Sequence, residues 1–335
     1  MISVCLGDDC IMDSYQPYKS FLGLREKRTY ETVYNGLKIC DEFIKVMNTD
    51  VESISKVLDY IRYDNPIIFY ANDFDMELHN VYTIVKPRYH FPKSEIHDKI
   101  AVVNSNVTRI VQNAKRVDVW NDLLLIHDLF CRNIIYKEYG YEAHTILGAI
   151  NNKSAVCEGI AKAFKHLCDY LEIPSCVVTG DAHSANSGKD EAHAWNKVNI
   201  GDNWYNIDVT FDLTSSNQGI IRHDYFCVDD SVIRKTHKED QVNLFPASDK
   251  SRDYYMVNNL IMHNQQYMID YLCNILKKKV SFVEVKIPST QNIDLLKDKV
   301  VKSIYTALSK ERLNAQFEVY ENQNTYVYSI KFYYL

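Results

Sequence analysis

Hydrophobic residues recur at helical spacing through the first third of the 335-residue chain. Apolar side chains three and four positions apart predict amphipathic helices, whereas short runs rich in β-branched and aromatic residues predict strands. Pro66 ends one of these helices, because the residue before a proline is displaced from the helical region. The predicted helices cover 28–46, 50–63 and 94–117, and the predicted strands cover 66–71 and 80–90.

The middle of the chain mixes helical and strand patterns. Its apolar runs are long enough for helices, and its later segments carry the alternation and turn residues of strands joined by tight loops. Gly201 and Asp202 are placed to form such a loop. The predicted elements are a helix over Asp122–Tyr136, a short helical piece over 143–151, a helix starting at Cys157, a strand over 175–180, a polar loop over 181–191, and strands over 193–200 and 203–211.

The last block alternates apolar and polar residues, as a half-buried antiparallel sheet does. It holds no cluster of candidate catalytic residues, so we predict that it serves as a scaffold or binds a partner or substrate. The pattern divides the chain into an α+β accessory region over 1–117, a central core over 118–240 and a second α+β accessory region over 241–335. The predicted elements of this block are strands over 280–287, 314–321 and 325–334 and a helix over 291–309.

Composition excludes several classes of protein. Hydrophobic residues make up 46% of the chain and charged residues 24%, as in soluble globular proteins. No run approaches 18 apolar residues and the net charge of −6 is dispersed, so we predict no contact with a membrane or with nucleic acid. The N-terminus lacks the basic segment of a secretory signal, which predicts a cytoplasmic protein. The nine cysteines are scattered without a CxxC pair, which favours reduced thiols.

Cys157 is the candidate nucleophile. The residues after it place Ile160, Phe164 and Leu167 on one helical face, so the cysteine lies at the start of a buried helix. Unpaired backbone N–H groups and the positive end of the helix dipole point to that position. Such an environment stabilises a thiolate, and the same N–H groups can bind the oxyanion of a tetrahedral intermediate.

His193 and Asp208 are the candidate base and its orienting partner. With a two-residue hairpin loop, His193 faces Thr210 and Asp208 is its diagonal neighbour; with a four-residue loop, His193 faces Asp208 directly. Either loop places both side chains on one face, roughly 5–8 Å apart, and the apolar character of the opposite face fixes the register. A nucleophilic thiol needs a base, and the base needs a group that fixes its tautomer. Cys157, His193 and Asp208 supply these roles.

Several short motifs follow one another along the centre of the chain: Val156-Cys157-Glu158-Gly159, His193-Ala194-Trp195 and Trp204–Thr210, accompanied by Ile126-His127-Asp128, Val177–Gly180 and His223–Phe226. In order and spacing, residues 118–235 resemble the transglutaminase-like superfamily, specifically bacterial members with papain-like cysteine chemistry. The resemblance implies an α+β papain-like core, a helix packed on an antiparallel sheet, with Cys157 as nucleophile, His193 as general base and Asp208 as orienting carboxylate. Ile160 and Phe211 depart from residues common in the family, but neither departure removes a reacting group.

The three residues predict acyl transfer on peptide or side-chain amides through a thioester. Water then releases the acid, or an amine does so by transamidation. We favour a peptidase or amidase, because excluding water requires an amine tunnel that no pattern indicates. A non-catalytic peptide- or protein-binding module on the same fold is the alternative from another class. The predicted partner is a peptide or protein substrate, and the sequence leaves the oligomeric state undetermined.

No cofactor and no metal are predicted. A zinc site needs close ligand pairs, whereas 36 positions separate Cys157 from His193. No acidic loop has the spacing of a calcium site. We predict that His127 and His144 form hydrogen bonds in the core or near the site, and that His183 is solvated in a loop bordering the cleft.

Overall fold

The computed structural model describes residues 14–112, 114, 118–184, 188–215, 220–241, 244–288 and 293–335. Its N-terminal elements are α1 (Pro17–Ser20), α2 (Leu24–Lys38), β1 (Ile44–Val46), α3 (Val51–Asp64), β2 (Asp73–Leu78), β3 (Thr83–Arg88) and α4 (Lys93–Val111). The three strands form an antiparallel sheet in the order β1-β3-β2. Asp50 caps α3 by accepting hydrogen bonds from the backbone N–H groups of Glu52 and Ser53, which explains why this helix begins where the sequence predicts.

Two predictions for this region are wrong. The helix predicted over 28–46 ends at Lys38, and Ile44 and Val46 instead pair with β3 and bury their side chains. The run 66–71 is not a strand but a series of turns whose apolar side chains are buried. This run is apolar because it fills the core, and a short apolar run does not distinguish a buried turn from a strand.

The central elements surround a five-stranded antiparallel sheet in the order β10-β6-β7-β8-β9. They are α5 (Val119–Asn133), β4 (Ile135–Tyr136), a 3₁₀ turn (Tyr141–His144), a π turn (Gly148–Asn152), β5 (Ser154–Ala155), α6 (Cys157–Tyr170), β6 (Ser175–Ser184), β7 (Lys189–Ile200), β8 (Asn203–Ile207), α7 (Val209–Ser215), β9 (Phe226–Val228), α8 (Asp230–Ile233) and β10 (His237–Glu239). Helix α6 packs against β6 and β7. The predicted α+β architecture, a helix on an antiparallel sheet, is confirmed.

Two boundaries in this region differ from the prediction. Strands β6 and β7 extend through most of the segment 181–191 that was expected to be a loop, because polar residues at a hairpin end can pair their backbones while their side chains remain in solvent. Strand β8 ends at Ile207, and the chain turns directly into α7, so residues 208–211 are not a strand. The predicted two-residue loop is confirmed by the pairing of Ile200 with Asn203.

The C-terminal elements place two long helices on one three-stranded antiparallel sheet, in the order β11-β13-β12. The predicted helix and three strands of this block are all present, within two residues at each described end. The elements are α9 (Tyr254–Val257), α10 (Gln265–Lys277), β11 (Phe282–Lys286), α11 (Ile293–Glu311), β12 (Ala315–Asn322) and β13 (Val327–Tyr334).

The buried apolar side chains of the described residues form two large clusters. One runs from Tyr18 to Phe245 and joins the N-terminal helices to the central sheet. The other lies within 262–332 and is built by α10, α11 and the last sheet. The division into three regions at 117 and 240 remains a prediction. Among the described residues, every helix is too short or too polar to cross a membrane.

Candidate active site

Cys157 is the first residue of α6, as the sequence predicts. Val156 before it is extended, and its backbone N–H donates to the carbonyl oxygen of Ala143 at 3.1 Å. This bond fixes the entry of the helix against the 3₁₀ turn. The cysteine side chain is partly exposed, so its sulfur lies at the protein surface with the helix N-terminus beneath it.

Gly159, two residues after the cysteine, is required by close packing. A Cβ added there would lie 2.2 Å from the carbonyl oxygen of Ala143 and 3.0 Å from that of Thr145. Both are backbone atoms, which cannot move aside as a flexible side chain can. The glycine therefore lets the nucleophile's helix sit directly on the 3₁₀ turn.

Gly159→Ala is expected to lower the free energy of unfolding by about 1–3 kcal/mol, the usual cost of overpacking. Urea denaturation followed by circular dichroism measures this change. Gly23→Ala is the control, because its added methyl would meet only Glu26 Oε2 at 3.6 Å. If Gly159→Ala were no less stable than the control, the close approach of α6 to the turn would be wrong.

Asp208 lies at the N-cap of α7 rather than in a strand. Its Oδ1 accepts a hydrogen bond from the backbone N–H of Phe211 at 3.1 Å, and its own N–H donates to Tyr225 O at 3.0 Å. Aspartate is rare in strands but favoured at N-caps. The local chemistry of the residue therefore agrees with the helix start, and the cap leaves Oδ2 free to face β7.

The structure brings His193 and Asp208 into direct contact. His193 Nε2 lies 2.8 Å from Asp208 Oδ2, and their side chains are only 7% and 1% exposed. The imidazole stacks on Trp195 and meets Phe211 edge-on, which fixes the plane of the ring. Because Nε2 is bonded to Asp208, Nδ1 is the nitrogen left to face the Cys157 sulfur.

Electrostatics at this pair favour a charged imidazole. Burial lowers the pKa of His193, but the Asp208 carboxylate and a hydrogen bond to Cys157 outweigh it and raise that pKa to about 10. Burial likewise raises the pKa of Asp208, and its bonds to His193 and a second histidine, His237, outweigh it and hold it well below its usual value. The site therefore stabilises an imidazolium between a sulfur and a carboxylate.

Comparison with known proteins agrees with this geometry. The family model of the transglutaminase-like superfamily matches residues 106–209, a range that contains all three candidate residues. Residues 106–209 are similar to the transglutaminase-like superfamily. The resemblance predicted from the sequence motifs is thereby confirmed, while the roles of the individual residues remain predictions.

Two solved structures are also similar to the chain. "The Crystal Structure of a Putative Cysteine Protease from Cytophaga hutchinsonii" has 17% identity and a TM-score of 0.29, covering 41% of this chain and 61% of that one. The "Crystal structure of a TGase" has 11% identity and a TM-score of 0.30, covering 52% of each chain. The chain thus spans about half to three fifths of these structures. Comparison with curated proteins finds no match.

His237 is a further member of this site, and the sequence motifs do not include it. Its Nε2 lies 2.9 Å from Asp208 Oδ2, the same oxygen that His193 contacts. The residue sits on the edge strand β10, which pairs with β6. No short-range pattern could have found it, because it lies 29 positions after Asp208 in the chain, beyond α7, β9 and α8.

The sulfur and the imidazole open into a cleft of roughly 640 Å³. Its wall combines residues of α3, β4, the 3₁₀ turn, the start of α6 and the inner strands β6 and β7, so α3 of the N-terminal region contributes directly to the site. The lining residues are Arg62, Tyr63, Tyr136, Glu138, His144, Val156, Cys157, Glu158, Thr179, Gly180, Ala192, His193, Ala194 and Asp240.

Tyr136 is an aromatic side chain of this wall that interacts with Cys157. Burial and its interaction with Cys157 raise the pKa of Tyr136 to about 12, so its hydroxyl keeps its proton at neutral pH. The apolar pattern of the sequence predicts Tyr136 only as the end of a helix. The structure places it on β4, whose pairing with Ala155 of β5 brings the phenol beside the nucleophile.

The other predicted histidines have clear positions. His127 is fully buried, with Nδ1 3.2 Å from Asp128 Oδ1 and Nε2 3.1 Å from Asp212 Oδ2, as a core histidine should be. His144 lines the cleft, where its Nδ1 lies 3.1 Å from Glu158 Oε2. His183 lies on β6 rather than in a loop, with an exposed side chain beside Asp190, away from the cleft lining.

Two groups of described residues have the composition of metal sites. His193, Asp208 and His237 form one, and His127, Asp128 and His223 form the other, each with ligand atoms within 4.8 Å of one another. In the first group, both imidazoles contact a single carboxylate oxygen at 2.8 and 2.9 Å. These are the distances of direct N–H···O hydrogen bonds, and the same holds for the contacts of Asp128 in the second group.

Proposed function

We propose that the protein catalyses cysteine-dependent acyl transfer from peptide or side-chain amides through a thioester, with hydrolysis as its main outcome. The observation that carries the proposal is the bond between His193, which lines the same cleft as Cys157, and the buried carboxylate of Asp208. A base oriented by a buried carboxylate and a thiol at a helix N-terminus are the parts that this chemistry requires.

The first half of the reaction forms the thioester. Cys157 Sγ gives its proton to His193 Nδ1 and attacks the amide carbonyl carbon. The resulting oxyanion accepts a hydrogen bond from the backbone N–H of Cys157, and the protonated Tyr136 hydroxyl beside it is our candidate for the second donor. The C–N bond then breaks as His193 returns the proton to the leaving amine.

The second half releases the acid. A water molecule gives a proton to His193 while its oxygen attacks the thioester carbon, and the C–S bond breaks to restore the Cys157 thiol as His193 returns that proton. Asp208 keeps Nε2–H engaged throughout, so Nδ1 always faces the sulfur. The partial exposure of Cys157 in an open cleft gives water access to the thioester, which favours hydrolysis over transamidation.

Selective alkylation tests the nucleophile without a known substrate. At pH 6, iodoacetamide is expected to modify Cys157 at least about tenfold faster than Cys40, because His193 can take the proton of the first thiol only. Cys40 is the matched control, since it is also half-buried and burial raises its pKa. Mass spectrometry of tryptic peptides after timed quenching measures both rates.

His193→Ala should abolish the preference for Cys157 and leave the alkylation rate of Cys40 unchanged. Two results would instead support a non-catalytic binding module. One is equal alkylation rates for the two cysteines in the wild-type protein, and the other is a Cys157 rate that does not change in His193→Ala. A peptide library, with and without a labelled primary amine, then separates the reactions. New peptide termini indicate hydrolysis, and incorporation of the amine indicates transamidation.

A further inference from the structure

Three N–H groups converge on the Asp208 carboxylate. Oδ1 accepts from the backbone of Phe211 at 3.1 Å, while Oδ2 accepts from His193 Nε2 at 2.8 Å and from His237 Nε2 at 2.9 Å. The carboxylate is 1% exposed, so water cannot replace any of these donors. A hydrogen bond that is charged and fully buried is stronger and more directional than one at the surface.

His237 is fixed more firmly than a packing residue requires. Its side chain is fully buried, and its ring meets Trp195 edge-on with centroids 5.0 Å apart. Its Nδ1 lies 2.8 Å from Thr236 Oγ1, and that hydroxyl lies 3.3 Å from the Tyr225 hydroxyl. The Thr236 hydroxyl also lies 3.4 Å from the carbonyl oxygen of Ile233. The ionised Asp208 carboxylate can only accept hydrogen bonds, so the Nε2 atom 2.9 Å from it must carry the hydrogen.

A close approach of the β10 and β6 backbones allows His237 to reach Asp208. Gly180 of β6 faces Glu239 of β10, and a Cβ added to Gly180 would lie only 2.0 Å from the carbonyl oxygen of Lys238. The absence of a side chain lets β10 lie close to β6. This close approach brings His237 to the same carboxylate that His193 reaches from β7.

We propose that His237 is a positioning residue, whose Nε2–H bond holds the Asp208 carboxylate toward the general base. This inference rests on the proposed function, because it assigns His237 a task in the same reaction. His237 is absent from the cleft lining and acts only through Asp208. With His237 in place, Oδ2 is shared by two imidazoles and the carboxylate cannot rotate away from His193.

Removing this donor has two physical consequences. The carboxylate loses one of its three bonds, so a smaller fraction of molecules holds His193 in the reactive orientation. The negative charge on Oδ2 is then shared by one imidazole instead of two, so the remaining bond to His193 becomes stronger. The titratable groups around this carboxylate are His193 and His237, with Cys157 facing His193 and Tyr225 facing His237 through Thr236.

The test compares His237→Phe, which keeps an aromatic ring but removes the N–H, with His237→Gln, whose amide N–H can replace Nε2–H. We expect kcat to fall by about tenfold to a hundredfold in His237→Phe with KM unchanged, as for other groups that orient a reacting residue through a hydrogen bond. His237→Gln should recover most of the loss. His183→Phe is the control, because that exposed histidine lies outside the cleft.

Proton NMR of protein labelled with ¹⁵N-histidine supplies a readout that does not depend on turnover. The wild type is expected to show two strongly deshielded imidazole N–H protons, both lost in Asp208→Asn. In His237→Phe one should disappear, and the other should move to lower field as the remaining bond strengthens. Because the wild-type spectrum is itself informative, the test does not depend on the folding of His237→Phe.

Two results would overturn the role of His237. One is a wild-type spectrum with a single deshielded imidazole proton, and the other is equal loss of kcat in His237→Phe and His237→Gln, which would indicate packing of the ring alone. A different result would overturn the proposed function. In that case iodoacetamide would show no preference for Cys157 in the wild-type protein, while both imidazole N–H resonances would remain.

Discussion

Replacement of Cys157 by alanine is expected to abolish turnover of any peptide that the wild-type protein cleaves. The loss should be about 10⁶-fold in kcat, the scale seen when a catalytic triad loses its nucleophile. The reason is that Cys157 is the only described cysteine in the cleft lining, so no other thiol can form the thioester there. Mass spectrometry of quenched reactions should show an acyl adduct on wild-type Cys157 and none on the variant.

Cys40→Ala is the matched control for this experiment, since it removes a half-buried thiol outside the cleft and should keep wild-type activity. Circular dichroism establishes that both variants are folded. Activity retained in Cys157→Ala, with the fold intact, would rule out the thioester pathway and favour a binding role for the cleft.

Asp208→Asn is expected to lower kcat by about 10⁴-fold, the cost of losing the carboxylate that orients a triad histidine. In the wild type, the carboxylate and Cys157 raise the pKa of His193 to about 10 against the effect of burial. Without the carboxylate, burial dominates and that pKa falls, so His193 no longer carries the charge that stabilises a thiolate. The rate of Cys157 alkylation at pH 6 should fall in parallel.

The same substitution should change stability in a defined pH range. The lowered pKa of Asp208 stabilises the fold above the ordinary value of 3.8 and loses this effect as the pH falls toward the folded pKa. The raised pKa of His193 stabilises the fold below its ordinary value of 6.5 and loses this effect as the pH rises toward about 10. The difference in urea stability between wild type and Asp208→Asn should therefore be largest between pH 3.8 and 6.5.

Asp190→Asn is the control for both measurements, because the side chain of that aspartate is exposed and pairs with the exposed His183, outside the cleft lining. It should match the wild type in rate and in its stability profile. A rate for Asp208→Asn within tenfold of the wild type, in a folded protein, would show that the carboxylate does not orient the base.

Local patterns in the sequence were sufficient for several features of the site. The periodicity of Ile160, Phe164 and Leu167 predicts where α6 begins, because that face must be buried wherever the helix packs. Gly201 and Asp202 predict the two-residue loop, because both residues adopt positive φ there. These signals depend on neighbours in the chain, so they are readable without the fold.

Other predictions from the sequence are wrong where local signals conflict with packing. Asp208 was placed in a strand because its neighbours are β-branched and aromatic, but its own preference for an N-cap agrees with the start of α7. The apolar run 66–71 predicts a strand, but it forms buried turns, because no local signal separates a paired strand from a buried turn. In both cases, backbone pairing and burial decided the outcome.

By itself, the sequence determined the order of Cys157, His193 and Asp208, the helix start beneath the nucleophile, and the α+β character of the core. Only the tertiary structure decided that Tyr136 lies beside the sulfur, that Arg62 and Tyr63 of α3 line the cleft, and that His237 shares the Asp208 carboxylate. The physical reason is that contacts within an element follow from residue spacing, whereas these contacts join elements far apart in the chain. Only the folded sheet and the helices packed on it bring those elements within bonding distance.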